Sequence, residues 1–165
     1  MINLKLIPNP IPPEAHGRNL RSMLPKDDWD LIRMDAYNRA GYVCEICGGT
    51  GKKHPVECHE EWEFDTQKKT QKLVKILAIC PECHKVKHIL RTIKTGSFVK
   101  SLKHFCKVNE LTLANGEMVL RDLLNSQMLL LGVKYKVDIE LAKQRLLELY
   151  DEKEKILNAF PIRRK

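Results

Sequence analysis

Two C-x-x-C pairs constrain this 165-residue chain more than any other feature. Cys44 and Cys47 form the first, Cys80 and Cys83 the second, and 32 residues separate them. A C-x-x-C turn presents two thiols on one side of a tight bend. Two such turns supply the tetrahedral thiolate set that Zn²⁺ prefers. Gly48 and Gly49 follow the first pair, which lets the backbone turn its amides toward the sulfurs. Pro81 lies inside the second pair, where the first turn of a helix tolerates proline. A short hairpin and helix bury too little surface to fold alone, and a structural zinc adds on the order of 10 kcal/mol. The four cysteines are therefore expected to hold a structural zinc ion.

The other readings of six cysteines are weaker. Disulfides suit exported chains, and the N-terminal stretch carries prolines where a signal peptide needs a helical core. A redox C-x-x-C pair wants a thioredoxin-like βαβ context, which is missing here. A reducing cytoplasm is the expected setting. No run of about 18 apolar residues is present, so no membrane span is expected.

The formal charge is +8. Zinc adds two charges and releases four thiol protons, which leaves about +6. A basic balance of this kind favours a polyanion such as DNA or RNA as partner, DNA ahead of RNA. It is equally the balance of a basic protein with no such partner.

The chain divides into three stretches. Residues 1–25 hold five prolines and read as an extended arm carrying His16, Arg18 and Arg21. Residues 26–110 hold all six cysteines. A helix is predicted over 27–40, with Leu31, Met34 and Tyr37 on its apolar face and Gly41 ending it. A half-buried strand is predicted over 56–65. Val56, Cys58, Trp62 and Phe64 face one way there, and Glu57, His59, Glu61, Glu63 and Asp65 the other. A polar turn over 66–70 and a second strand over 73–79 complete a hairpin. Helices are predicted over 81–93 and 98–108, with Cys106 buried in the latter.

Residues 111–165 read as a helical extension, with helices over 115–131 and 138–160. The second has a seam of Ile139, Ala142, Leu146, Leu149, Lys153, Ile156 and Phe160 at heptad-like spacing. That stripe suits either the core of a helical hairpin or a homodimer interface.

The order is helix, glycine, C-x-x-C, a strand with a histidine, a second strand, then Cys-x-x-Cys-His opening a helix. The matching residues are Ala40, Gly41, Tyr42, Val43, Cys44, Glu45, Ile46, Cys47, Gly48 and Gly49; then Val56, Glu57, Cys58, His59 and Glu60; then Leu77, Ala78, Ile79, Cys80, Pro81, Glu82, Cys83, His84 and Lys85. This resembles the zinc-bearing form of the HNH, or ββα-metal, nucleases, and a bacterial and phage group of HNH-like proteins in particular. The resemblance covers about residues 16–110. It implies an α+β fold, a zinc-stabilised ββα module with flanking helices, to which the helical pattern of residues 111–165 adds an expected C-terminal helical hairpin. It also implies metal-assisted phosphodiester hydrolysis with Mg²⁺ or Mn²⁺, in a bacterial cytoplasm. His59 takes the general-base position and His84 the metal position.

Cys58 stands where the family commonly has Asp, and Lys75 where it has Asn. Glu57 and Glu61 share the strand face of His59 and are candidates for the missing acid. His88 follows His84 by one helical turn, a pair that can share a metal or simply be solvated. A second soft-metal site of Cys58, His84 and His88 is a further arrangement. Two functions stay open. One is an endonuclease. The other is a catalytically degenerate zinc module that binds nucleic acid through Lys85, Lys87, Arg91, Lys94, Lys100 and Lys103, or a host protein through its C-terminal helices.

Overall fold

The computed structural model describes residues 3–159. It is an α+β fold with a small sheet and helices on both of its faces. α1 spans Leu20–Met23 and α2 spans Lys26–Arg39. α2 starts directly after Pro25, with Asp27 and Asp28 in its first turn, where acidic side chains favour the helix dipole. Gly41 has φ 58 and ends the helix in a left-handed turn that glycine adopts without strain. Ile32 and Ala36 are its buried residues, and Trp29 and Leu31 pack beside them. Met34, expected on the apolar face, is 38% exposed, because the sheet lies against the Ile32 and Ala36 side of the helix.

β1 (Glu57–Asp65) and β2 (Thr70–Ile79) form the expected antiparallel hairpin. The register shifts between Glu61 and Trp62, where an extra residue on β2 is accommodated. β3 (Lys136–Asp138) adds a short parallel strand to β2 that the sequence pattern does not signal.

The helix predicted over 81–93 is two helices, α3 (Pro81–Lys87) and α4 (Ile89–Lys94). His88 interrupts them at φ −100, ψ 44. α5 spans Phe98–Asn109 and α6 spans Leu113–Ser126, capped by Thr112 and followed by a 3-10 turn over Gln127–Leu130. α7 spans Glu140–Ala159. Asp138 accepts a hydrogen bond from the Glu140 amide at its start, as the sequence suggests.

Two cores hold the fold. The first gathers Leu6, Cys44, Ile79, Cys80, Cys83, Val86, Leu102, Phe105, Cys106 and Leu120 around the cysteine pairs. The second gathers Leu20, Ile32, Ala36, Trp62, Leu73, Ile76, Ala142 and Leu146 on the other side of the sheet. The expected C-terminal helical hairpin is therefore corrected. α6 packs on α5 in the first core, while α7 packs on α2 and β2 in the second. Each apolar stripe finds a nearer partner than the other. α6 comes close to α5 because Gly116 has no side chain; a Cβ there would lie 2.2 Å from Cys106 Sγ. The Ile139 stripe is used through Ala142 and Leu146 against the sheet, and the side chains of Ile156 and Phe160 lie outside the described residues. Arg145 fastens α7 to α2 by a bidentate pair with Asp35.

The N-terminal stretch is mostly extended, yet it is built into the molecule. Leu6, Ala15 and Leu20 are buried. Among the described residues, no helix is long and apolar enough to cross a membrane.

Candidate metal centres

The first pair of cysteines sits on a knuckle closed by its own backbone. The Cys44 amide donates to the Gly49 carbonyl, and the Gly48 amide to the Cys44 carbonyl. Glu45 docks this knuckle on the end of β2. Its amide donates to the Ala78 carbonyl at 3.0 Å, and its carboxylate accepts from the Ala78 amide at 2.5 Å. The second pair straddles the start of α3, where Cys80 Sγ accepts the Cys83 amide at 3.4 Å. Docking the knuckle beside that helix start brings all four sulfurs within 4.8 Å of one another. Cys47 Sγ and Cys80 Sγ are 3.7 Å apart. A zinc tetrahedron with bonds of about 2.3 Å has S···S edges of about 3.8 Å. The donor set therefore fits a zinc ion.

A hydrogen bond from Cys83 and backbone amides at Ile46, Cys47 and Cys80 pull the Cys44 thiol down to about 4. Donating to Cys44, together with burial, pushes Cys83 up. Burial and the Cys44 charge push Cys80 up to about 11. Cys80 and Cys83, crowded against the Cys44 sulfur, keep their protons until a dication offsets the repulsion. His104, on α5, places Nε2 3.2 Å from Cys83 Sγ. It can donate to the thiolate, a role the sequence reading did not assign. None of the six cysteines is in a disulfide.

A second cluster lies between β1 and α3. His59, His84 and His88 each bring a ring nitrogen within 4.8 Å of the other two. Their ring centroids are 4.7 to 5.3 Å apart, edge to face. His84 Nδ1 contacts Glu57 Oε2 at 2.5 Å, and His84 Nε2 lies 3.1 Å from His88 Nε2. With Nδ1 donating to the carboxylate, the Nε2 lone pair of His84 faces His88. This is the carboxylate–histidine arrangement that backs metal ligands. His59 is 1% exposed, and its Nε2 has no hydrogen-bond partner among the described residues. A buried imidazole nitrogen is costly to leave unpaired unless something coordinates it. Burial, with the neighbouring His88 and His84 charges, pulls His59 down to about 2. Burial, then the His84 charge, pulls His88 down to about 4. Both are neutral at pH 7, as metal ligands must be. Three imidazoles suit Zn²⁺, Ni²⁺, Cu²⁺ or Fe²⁺, and do not suit the oxygen-seeking Mg²⁺.

The sequence-predicted residues sort cleanly. Glu57 is present as the partner of His84. Glu61 is committed instead to Lys87, whose Nζ lies 2.8 Å from Oε1 and whose side chain is 4% exposed. Lys87 is therefore not available to a phosphate. Cys58 points to the opposite face of β1, into the second core, and burial keeps it a thiol with a pKa pushed up to about 12. The site of Cys58, His84 and His88 does not form; His59 takes that place. Lys75 is exposed.

No protein-family model, curated protein or solved structure matches this chain.

Proposed function

We propose that this protein is a metal-dependent phosphodiesterase acting on nucleic acid, of the HNH type, with a structural zinc on the four cysteines and a catalytic metal on His59, His84 and His88. One observation carries the reading: a strand histidine and two helix-end histidines converge, and one of them is backed by a carboxylate. The hairpin of β1 and β2 followed by α3 is the ββα order of that family.

A metal there supplies an activated water and neutralises charge on a phosphoryl oxygen. The chain's own residues do the rest. Glu57 fixes the tautomer and ring orientation of His84. His59 serves better as a ligand than as the general base that the family pattern implies, because it is buried and weakly basic. His84 lies partly open, with a side chain 26% exposed, and gives the site its access. Exposed Lys85, Arg91, Lys94, Lys100 and Lys103 on α3, α4 and α5 provide positive charge for a phosphate backbone.

The test is cleavage of supercoiled plasmid and single-stranded DNA by zinc-loaded protein, with added Zn²⁺, Mn²⁺ or Mg²⁺ or with a chelator. His88→Ala runs in parallel. Cleavage that needs a metal and disappears in His88→Ala is expected. Absence of cleavage under every metal, or full activity in the variant, rejects the catalytic reading.

A further inference from the structure

We propose that Asn9 is a positioning residue for the three-histidine centre, setting the spacing between β1 and the end of α3. The inference rests on the reading of His59, His84 and His88 as metal ligands.

The centre has two walls. His59 stands on β1, and His84 and His88 stand on α3 and just past its end. Asn9 bonds the backbone of both walls. Its side-chain Nδ2 donates to the Trp62 carbonyl at 3.0 Å, and its Oδ1 accepts the Trp62 amide at 3.1 Å. Its own amide donates to the Lys87 carbonyl at 3.0 Å.

Each partner is a group the regular structure does not satisfy. β1 is an edge strand, so its outward amides and carbonyls have no neighbour in the sheet. Trp62 sits where the β1–β2 register shifts, three residues from His59. Lys87 ends α3, and carbonyls in a last helical turn lack intrahelical donors. His88 stands at the break between α3 and α4, with its amide still donating to the His84 carbonyl at 3.1 Å, so the end of α3 that Asn9 holds at Lys87 carries His84 and His88 together.

The segment carrying Asn9 is held firmly. Leu6 is fully buried in the core that contains Cys80, Cys83, Val86 and Phe105. Asn109 on α5 accepts the Lys5 and Leu6 amides at 2.8 and 3.0 Å and donates to the Leu6 carbonyl at 2.9 Å. Asn9 thus ties a fixed strap to the strand wall through its side chain and to the helix wall through its backbone.

Asn9→Ala removes the tie to the strand wall and keeps the tie to the helix wall. The experiment uses full-length protein carrying one zinc per chain, titrated with Co²⁺. The visible band of imidazole-bound cobalt reads the histidine centre. Near-ultraviolet thiolate-to-cobalt charge transfer reports any exchange at the cysteines. Wild type is expected to take one cobalt. Asn9→Ala is expected to bind it about 10-fold more weakly, the scale of the two hydrogen bonds lost to Trp62, with zinc retention at the cysteines unchanged. General unfolding would weaken both sites together, so the ratio between them isolates positioning. If Asn9→Ala does not fold, Asn9→Asp decides. It keeps the acceptor for the Trp62 amide and loses the donor to the Trp62 carbonyl, so weakened cobalt binding is again expected. Wild-type cobalt affinity in the folded variant overturns the role of Asn9 alone. A wild type that takes no cobalt overturns the histidine centre, and the role of Asn9 with it.

Discussion

Glu57 on β1 and His84 on α3 meet with 2.5 Å between Oε2 and Nδ1, and that contact decides which nitrogen of His84 faces His88. The carboxylate holds the ring in one tautomer and in one orientation. Glu57→Ala should therefore weaken the second metal by about 10- to 100-fold, and Glu57→Gln by less, because an amide oxygen still accepts the proton. Cobalt titration of zinc-loaded protein measures both. Equal affinity in all three proteins would show that Glu57 does not orient a ligand.

The two clusters predict two metals of different standing. Elemental analysis of protein produced with zinc should find two ions per chain, and Cys80→Ser should lose one of them together with cooperative unfolding. His88→Ala should lose the other and keep its fold. The asymmetry follows from burial: Cys44, Cys80 and Cys83 lie in the first core, so zinc binding there is folding energy on the order of 10 kcal/mol. Circular dichroism during chelation checks it.

Glu60 makes stability depend on pH. Its Oε2 accepts the Leu20 amide at 2.9 Å, and burial raises its carboxyl to about 7. In the unfolded chain the same group titrates near its ordinary value of 4.5. Between these values the folded protein holds a proton that the unfolded chain has released. Its contribution is full below 4.5 and is lost as pH rises through 7, at up to about 1.4 kcal/mol per pH unit. Glu60→Gln should flatten that slope in zinc-loaded protein, read by urea unfolding across the window. An unchanged slope would assign the dependence elsewhere. His88, held down to about 4, works in the opposite sense: its contribution falls as pH drops from 6.5 toward 4.

Arg145 gives a mechanical prediction. Its Nε and Nη2 lie 3.0 and 2.7 Å from the two Asp35 oxygens, and Arg39 takes a further contact. Burial by itself would raise the Asp35 carboxyl; the bonds from Arg145 and Arg39 hold it below its ordinary value. Arg145→Ala should cost about 1.5–3 kcal/mol, the range for a hydrogen bond to a charged group. Urea unfolding measures the cost. A loss below a few tenths would mean that Ala142 and Leu146 alone hold α7 in place.

The sequence determined what local chemistry can carry. Two C-x-x-C turns specify a four-thiol cluster that fits zinc, because each pair is set by its own bend and only one docking step joins them. The hairpin, α2 and α5 were legible from period and punctuation. The i, i+4 spacing of His84 and His88 marked them as a pair, and the resemblance to HNH proteins put His59 and His84 in one site, but nothing along the chain said that His59, His84 and His88 would form a single three-nitrogen cluster. Tertiary structure decided that. The alternation along β1 already set Glu57 and His59 opposite Cys58; tertiary structure laid the first face on α3 and the second on the second core, and it broke the helix at His88. It also committed Lys87 and Glu61 to each other, sent α6 and α7 to different cores, and laid Asn9 across both walls of the centre. Each of these is a contact between segments far apart in sequence. Such contacts depend on which buried polar groups find partners and which apolar faces pack together, and periodicity within a single segment carries no record of either.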